Sequence, residues 1–572
     1  MLFSALALAR ALVAAVLLQA GPRVGAASGI DSLRIVRAAR SAQASFESFR
    51  RSRLPVADGL SGPCDVRIGR YCYWRGNDDD DDDQPPPEPR AITDRRDQLI
   101  RQLDSATRAL PGDPWLAGQY VRYLVEAGRS DDAVAFATNL CQASGGWCGA
   151  LAGYAAHVAG QFAAADSAYQ TALAAMDSSE RCRWLDASQL LDDDLEHRFK
   201  ALGCDGREAF VRRVFWLGAP LYSVSTTDLL TEHFARLTHA RMFEHAASPD
   251  GEPWADDERE LVLRYGWPRW YSRTQPPFGS EMRPSITGHD AGRPYAFLPS
   301  VHALDHVGHI SADDWNLDDS RALTGYAPSY ARSVHHLPHQ VAVFRRADST
   351  LVLAAWDGRR DTTLIGRPLD AALVLASDGK VRGMTRLSDA RAEGRIAALA
   401  VFDSGVVSLE VLAKHDRRAG RARIGVARPN AGIALSDILL YAPSEAAPTD
   451  LGSVRDSMLA SDVIPTSRAV GVFWEMYGLP EGGERTPVQF TLAVEQVGIS
   501  LVRRVAEHLH LSDPTTGLSI QWQEVPGQLK GVAPRGVRLD LSRLRSGRYH
   551  VSLSAQVRGE LPVVAEREIE LR

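Results

Sequence analysis

His339-Gln-Val-Ala-Val-Phe-Arg-Arg-Ala-Asp-Ser-Thr-Leu-Val-Leu-Ala-Ala-Trp356 is the stretch on which the fold turns. Val341 to Phe344 and Thr350 to Trp356 are short apolar runs on either side of a polar turn, the pattern of two strands. Before His339 apolar residues recur at helical spacing; after it they come in short runs separated by turns. The chain of 572 residues therefore divides into a helical N-terminal part and a β-rich C-terminal part.

Working towards the C-terminus, Ala372 to Leu375 leads into the hairpin signal Ser377-Asp-Gly-Lys380. Ala398 to Phe402 and Val406 to Leu412 flank another turn, Asp403-Ser-Gly405. A second series of short runs starts at Val470, passes through Val488 to Val494, Leu518 to Trp522 and Val537 to Leu541, and ends with Gly547 to Ala555. Many short strands at close spacing predict two β-sandwiches, at 335–450 and 465–572. Tyr441 to Ser467, rich in Pro, Ser and Ala, reads as the linker between them. The closing Leu539-Asp-Leu-Ser-Arg-Leu-Arg-Ser-Gly-Arg-Tyr-His-Val551 resembles the last hairpin of bacterial immunoglobulin-like or fibronectin-like modules.

Towards the N-terminus the reading is helical. Leu33, Val36, Ala39, Ala42 and Phe46 mark one face of a helix over 30–53. A cysteine-bounded loop from Cys64 to Cys72 follows, then six aspartates, Asp78 to Asp83, and Pro85-Pro-Pro-Glu-Pro89. Like charges repel and prolines hold an extended chain, so 28–93 closes on an exposed linker. Between 94 and 180, Trp115 to Val134 is echoed by Tyr154 to Tyr169, and the pairs Ala127-Gly128 and Ala159-Gly160 recur at close to the ~34-residue tetratricopeptide period. This region resembles tetratricopeptide repeats.

The region 181–334 holds Phe215-Trp216 and a helix from Leu229 to His245 with an N-cap in Thr226-Thr-Asp228. Within and after that helix come Glu232-His-Phe-Ala-Arg236, Ala240-Arg-Met-Phe243, Trp254-Ala-Asp-Asp257 and Tyr265-Gly-Trp-Pro268. This order, over Val214 to Trp270, resembles the GWxTD-domain proteins, secreted bacterial proteins without an assigned activity. Here the naming motif reads Glu252-Pro-Trp-Ala-Asp-Asp257, so its Gly and Thr are replaced. The resemblance implies location and architecture, not mechanism. Tyr271 to Val334, with many prolines, reads as a long loop region between domains.

Met1 to Gln19 is apolar apart from Arg10, and Val24-Gly-Ala-Ala27 is a small-residue cleavage zone, so 1–27 reads as a signal peptide. The alternative, a retained anchor, would bury Arg10 in the bilayer. A secretory chain matures where disulfides persist, and the six cysteines, Cys64, Cys72, Cys141, Cys148, Cys182 and Cys204, are even in number. Their connectivity is open, with local pairing favoured (Cys64–Cys72, Cys141–Cys148, Cys182–Cys204). Net charge is -6, which argues against nucleic acid, and no later apolar run could span a membrane.

No nucleophile elbow, zinc-protease or nucleotide-binding motif is present. Three clusters remain. His289, His302, His306 and His309 are candidate ligands for a divalent metal, with Asp290 and Asp305 to complete the set. Glu232 and His233, near His239 and Arg241, carry acid–base chemistry if they line a cleft, and read otherwise as surface ion pairs. Trp254, Tyr265, Trp267 and Trp270, with Tyr271, form a candidate binding surface. The reading that follows is a secreted or periplasmic, non-catalytic binding or assembly protein without a cofactor. Its partners are envelope or extracellular proteins, and it has no transmembrane span after signal cleavage. The alternatives are a metal-dependent enzyme with its site in 289–339, and a carbohydrate-binding envelope protein.

Overall fold

The structure, a computed structural model, describes residues 29–57, 63–76, 86–274, 285–289, 292–445, 447–466, 469–479, 487–497, 517–525 and 531–572. Residues 1–28, the aspartate run and Asp290 lie outside the described residues. Helices occupy the N-terminal half and antiparallel β-sandwiches the C-terminal half. Among the described residues no helix is long and apolar enough to cross a membrane.

The helical half begins with Gly29–Arg51 and Arg90–Ala109, followed by two helix pairs, Pro114–Glu126 with Ser130–Asn139 and Trp147–Val158 with Phe162–Ala175. Asp113 caps the first of these by accepting from the Leu116 amide at 2.9 Å, with Pro114 in the first turn. Gly128 and Gly160 end the leading helix of each pair at φ of +72° and +74°, the left-handed backbone glycine adopts without strain. Gly153 serves packing instead: a Cβ there would lie 2.8 Å from the Tyr169 ring. A buried charge network ties the first helix to the third. Glu47 accepts from Arg122 at 2.9 Å and from the Tyr123 hydroxyl at 2.6 Å, and Arg50 pairs with Glu126. Three disulfides, Cys64–Cys72, Cys141–Cys148 and Cys182–Cys204, use the local pairing.

Asp228–Phe243 runs through the middle of this half, and every residue of it except Arg241 is buried. Its charged face is therefore not a surface network, as the helical spacing alone suggests. Helices Pro114–Glu126, Trp147–Val158, Phe162–Ala175, Cys204–Gly218 and Asp256–Tyr265 surround it.

The first sandwich pairs His339–Arg346, Ser349–Asp357 and Glu393–Ala400 in one sheet. Leu369–Ser377, Lys380–Ala390, Ser404–Ala413 and Arg418–Ala427 form the other, with Ser333–His336 added in parallel to its last strand. First, second and fifth strands thus face third, fourth, sixth and seventh, an immunoglobulin-type arrangement with the fourth strand on the sheet of the third, the fibronectin type III variant.

The second sandwich repeats the plan. Ala434–Leu435 and Leu439–Tyr441 pair with Ala469–Tyr477, which pairs with Val532–Asp540. Val488–Gln496, Gly517–Glu524, Gly547–Val557 and Val563–Leu571 form the facing sheet, and Val463–Ile464 joins its last strand in parallel. The second sandwich thus starts near Ala434, not 465, and Tyr441 to Ser467 is not a linker: its described residues include Tyr441, the capped helix Leu451–Arg455 and Val463–Ile464. Ile438 and Leu440 are buried in the sandwich and Leu439 against the first one, and the Pro- and Ser-rich composition after them hides that strand.

Both junctions are packed and hydrogen-bonded. Arg423 donates to the Leu217 carbonyl at 2.6 Å, and Arg421 to those of Ala219 and Pro220 at 3.2 and 3.0 Å. Two buried guanidinium groups of the first sandwich thus cap the C-terminus of Cys204–Gly218, where partial negative charge gathers. Glu410 accepts from the amides of Tyr222 and Ser223, each at 2.8 Å. Between the sandwiches, Gln340 donates to the Leu440 and Leu459 carbonyls and accepts from the Leu440 amide, while Arg346 pairs with Glu475 at 2.6 Å.

Candidate functional site

A cleft of about 550 Å³ opens where the helical half, the Cys64–Cys72 loop and the edge of the first sandwich meet. That is within the range of small-ligand and side-chain pockets.

The cysteine loop folds as a hairpin, Val66–Ile68 with Tyr71–Tyr73, closed by the disulfide. Gly69 turns it at φ +52°, and a Cβ there would come within 2.5 Å of Asp257. Arg70 pins the turn to the next wall. Its backbone N–H and its Nε donate to Asp257 Oδ2 at 3.1 and 2.8 Å, and its Nη2 donates to Oδ1 at 2.9 Å. These bonds hold the Asp257 carboxyl well below the usual carboxylate range. Asp257 closes the stretch Trp254-Ala-Asp-Asp257, and here it anchors the hairpin. Tyr73 stacks on Tyr265 at 4.2 Å, and Arg75 donates to the Asp319 and Ala322 carbonyls.

Helix Asp256–Tyr265 gives the second wall through Glu258, Leu261 and Val262, and Trp254 and Phe243 sit beside it. The third is the hairpin Trp270–Arg273 with Ile286–His289, in which Trp270 is opposite His289 and Tyr271 opposite Gly288. Gly288 permits close packing on Pro268, which a Cβ would meet at 2.4 Å. Arg332, Ser333 and Arg418 come from the edge of the first sandwich.

The lining is aromatic, with two carboxylates, Asp250 and Glu258, and five arginines, Arg70, Arg75, Arg293, Arg332 and Arg418. Burial, and then the charge of Asp250, push the Glu258 carboxyl up to about 8. Its Oε2 is buried without a hydrogen-bond partner. Burial together with these same two acids raises the Tyr71 hydroxyl above its ordinary range, and it donates to Asp250 Oδ2 at 3.4 Å.

Of the aromatic residues singled out in the sequence, Trp254 and Trp270 line the cleft, as does Tyr271. Tyr265 and Trp267 do not: Tyr265 is packed under Tyr73, and Trp267 is stacked on His239 at 4.8 Å. The His302 and His306 rings lie 5.1 Å apart, but the four histidines do not assemble as one set among the described residues. His289 lies in the cleft wall, stacked on Trp270 at 3.7 Å with Nε2 2.8 Å from Ser272 Oγ. His302 faces Asp314, with Nδ1 3.1 Å from Oδ1. His306 and His309 are exposed, and Asp305 is taken by Arg198 in two bonds of 2.6 Å. Among the described residues no three His, Cys, Asp or Glu side chains converge as a metal set. The short helix Val301–Asp305 ends at His306, so the three histidines do not share a helical face.

Glu232 is sealed rather than presented. It accepts from Arg236 Nε at 2.7 Å and lies 2.7 Å from His157 Nε2, whose Nδ1 is 2.9 Å from Thr231 Oγ1. Burial alone would raise its carboxyl, but Arg236 and His157 hold it well below the ordinary range. His233 is buried with neither ring nitrogen hydrogen-bonded, and burial lowers its pKa to about 4. The adjoining void of about 10 Å³ has room for no more than one water.

Glu258, Asp250 and Tyr71 escape a sequence reading. Glu258 sits in a run of charged residues, Asp256-Asp-Glu-Arg-Glu260, with nothing to distinguish it. The aromatic crowding of Tyr71, Tyr73 and Trp74 around Cys72 is the signal that marks the hairpin.

Comparison with protein families and with curated proteins finds no match. Among solved structures the chain is similar to the FN1–FN3 domains of chicken CNTN1, at 12% identity and a TM-score of 0.15, over 42% of this chain and 67% of that one. It is also similar to the C-terminal domain of the Streptococcus agalactiae AgI/II polypeptide BspA (9%, TM-score 0.14, 41% of this chain and 100% of that one). A third is Salmonella alpha-2-macroglobulin (10%, TM-score 0.18, 52% and 26%). At these TM-scores none defines a relationship, and the sandwich assignment rests on strand order.

Proposed function

We propose that this is a secreted or periplasmic, non-catalytic binding protein that receives a segment of an envelope or extracellular protein in the aromatic cleft. The observation that carries the reading is the cleft itself: about 550 Å³, aromatic, and walled by elements pinned through a disulfide and the Arg70–Asp257 bonds. A fixed, concave surface that combines aromatic and charged side chains suits binding without a large ordering cost. The apolar leader and three disulfides support an oxidising compartment. On this reading the tetratricopeptide-like pairs and the GWxTD-like block form the frame of the cleft, and the two sandwiches extend from it.

The test is a photo-crosslinking residue at Thr287, inside the cleft, compared with one at exposed Leu561, in living cells of the native host. The expected result is a discrete set of envelope or secreted proteins captured from Thr287 and not from Leu561. Equal capture from both positions, or none from Thr287, refutes the cleft as the binding site.

A further inference from the structure

We infer that the cleft recognises a cationic side chain, lysine or arginine, on the bound protein segment, with Glu258 and Asp250 as its counter-charges and Trp254 and Tyr71 as its aromatic surround. The inference rests on the binding reading above and names the chemistry of what is bound.

Four observations converge. First, Glu258 lines the cleft and makes no ion pair among the described residues, while its buried Oε2 has no hydrogen-bond partner. A carboxyl that lines a cleft without an ion-pair partner is the group a cation entering that cleft would engage. Second, the neighbouring acid does not relieve it. Asp250 accepts from the Glu252 amide at 3.0 Å and from Ser248 Oγ, and its charge faces Glu258. Third, the cation nearest in the fold is occupied: Arg70 is held by Asp257 and also donates to the Pro253 carbonyl at 3.2 Å. The other groups facing Glu258 are Tyr71 and Asp257. Fourth, Trp254 and Tyr71 line the same cleft, and aromatic faces attract an ammonium or guanidinium group through their quadrupoles, as Arg70 over the Tyr71 ring at 5.3 Å already does.

The remaining arginines of the lining do not turn the site towards anions. Arg75 is spent on two backbone carbonyls, Arg293 pairs with Asp318 at 2.8 Å, and Arg332 and Arg418 have interactions of their own.

A linkage follows. In the empty cleft burial and Asp250 keep Glu258 protonated up to about pH 8. A bound lysine, itself charged to about pH 10, favours the carboxylate, so binding releases a proton and affinity rises with pH below 8, by up to about tenfold per unit.

The experiment is calorimetric titration of the full chain with capped pentapeptide pools whose central residue is Lys, Arg, Gln or Glu, at pH 6 and pH 8. The Lys or Arg pool is expected to bind about tenfold or more tighter than the Gln pool at pH 8, with a smaller preference at pH 6. E258Q and D250N are expected to remove that preference. The wild-type pH dependence keeps the test open if a variant fails to fold. Equal binding of Lys and Gln pools, a preference for Glu, or a preference that does not change with pH overturns the inference. If Thr287 still captures proteins in cells, only the choice of cation has failed. If Thr287 captures nothing either, the binding reading falls with it.

Discussion

Glu232 and Glu258 lie on consecutive helices packed against each other, and they meet opposite fates. Glu232 is enclosed with Arg236 and His157, and its carboxyl is held far below the ordinary range. Glu258 faces the cleft with no ion-pair partner among the described residues, and its carboxyl is pushed up to about 8. Desolvation is the largest influence on both, and it acts in the same direction. What separates them is the partner: an arginine and a histidine within hydrogen-bonding distance reverse the effect of burial, and a second carboxylate reinforces it. The first arrangement holds a structure together; the second waits for a ligand.

The strongest way to break this comparison is to make Glu232 resemble Glu258. Arg236→Met would leave Glu232 with a single partner, and the Leu263, Arg264 and Gly325 carbonyls without their donor. A loss of about 3–5 kcal/mol in denaturant stability is expected, as for breaking other buried pairs. A loss under about 1 kcal/mol would mean that the network is not holding the helical half. The junction ranks next. Arg423→Met removes the donor to Leu217 and should cost about 1–3 kcal/mol. It should also separate one unfolding transition into two, visible in calorimetry.

On the cleft side the effects on stability are smaller. Replacing Cys64 and Cys72 with serine opens a short loop and should cost about 2 kcal/mol or less. Ligand binding should be lost, because Tyr71 is carried by that hairpin. E258Q should stabilise the protein at pH 9 by roughly 1 kcal/mol and have no effect at pH 4. The sign follows from linkage. The folded pKa is raised, so between pH 4.5 and 8 the unfolded chain loses a proton that the folded one keeps, and stability falls as pH rises. His233 works the other way. Its folded pKa is lowered to about 4, so stability falls as pH drops from 6.5 towards 4. His239, lowered by burial and then Arg122, adds to that loss. A midpoint in urea that declines between pH 6.5 and 4, and declines less in H233F, is the expected measurement.

Much of the fold is legible in local pattern. Val341 to Phe344 and Thr350 to Trp356 fall inside paired strands, and Asp113-Pro114 starts a helix. Each is governed by neighbours a few residues away. The second sandwich's first strand is not legible, because Ala434 to Tyr441 is too short and broken to stand out before Pro- and Ser-rich sequence. The candidate site is legible only in part. Trp254 and Trp270 carry their size as a signal, whereas Glu258 looks like any helix-surface glutamate.

The amino-acid sequence by itself determines the order of helices then strands and the two-sandwich layout, and it favours the local pairing of cysteines, since periodicity, turn residues and short loop closure are properties of nearby residues. The tertiary structure alone decided which charges are sealed and which face the cleft. Glu232 is partnered by His157, 75 residues earlier, and the cleft brings Tyr71 to Asp250 across 179 residues. Ionisation depends on the dielectric and the charges gathered around a group, and those arrive only when distant segments pack.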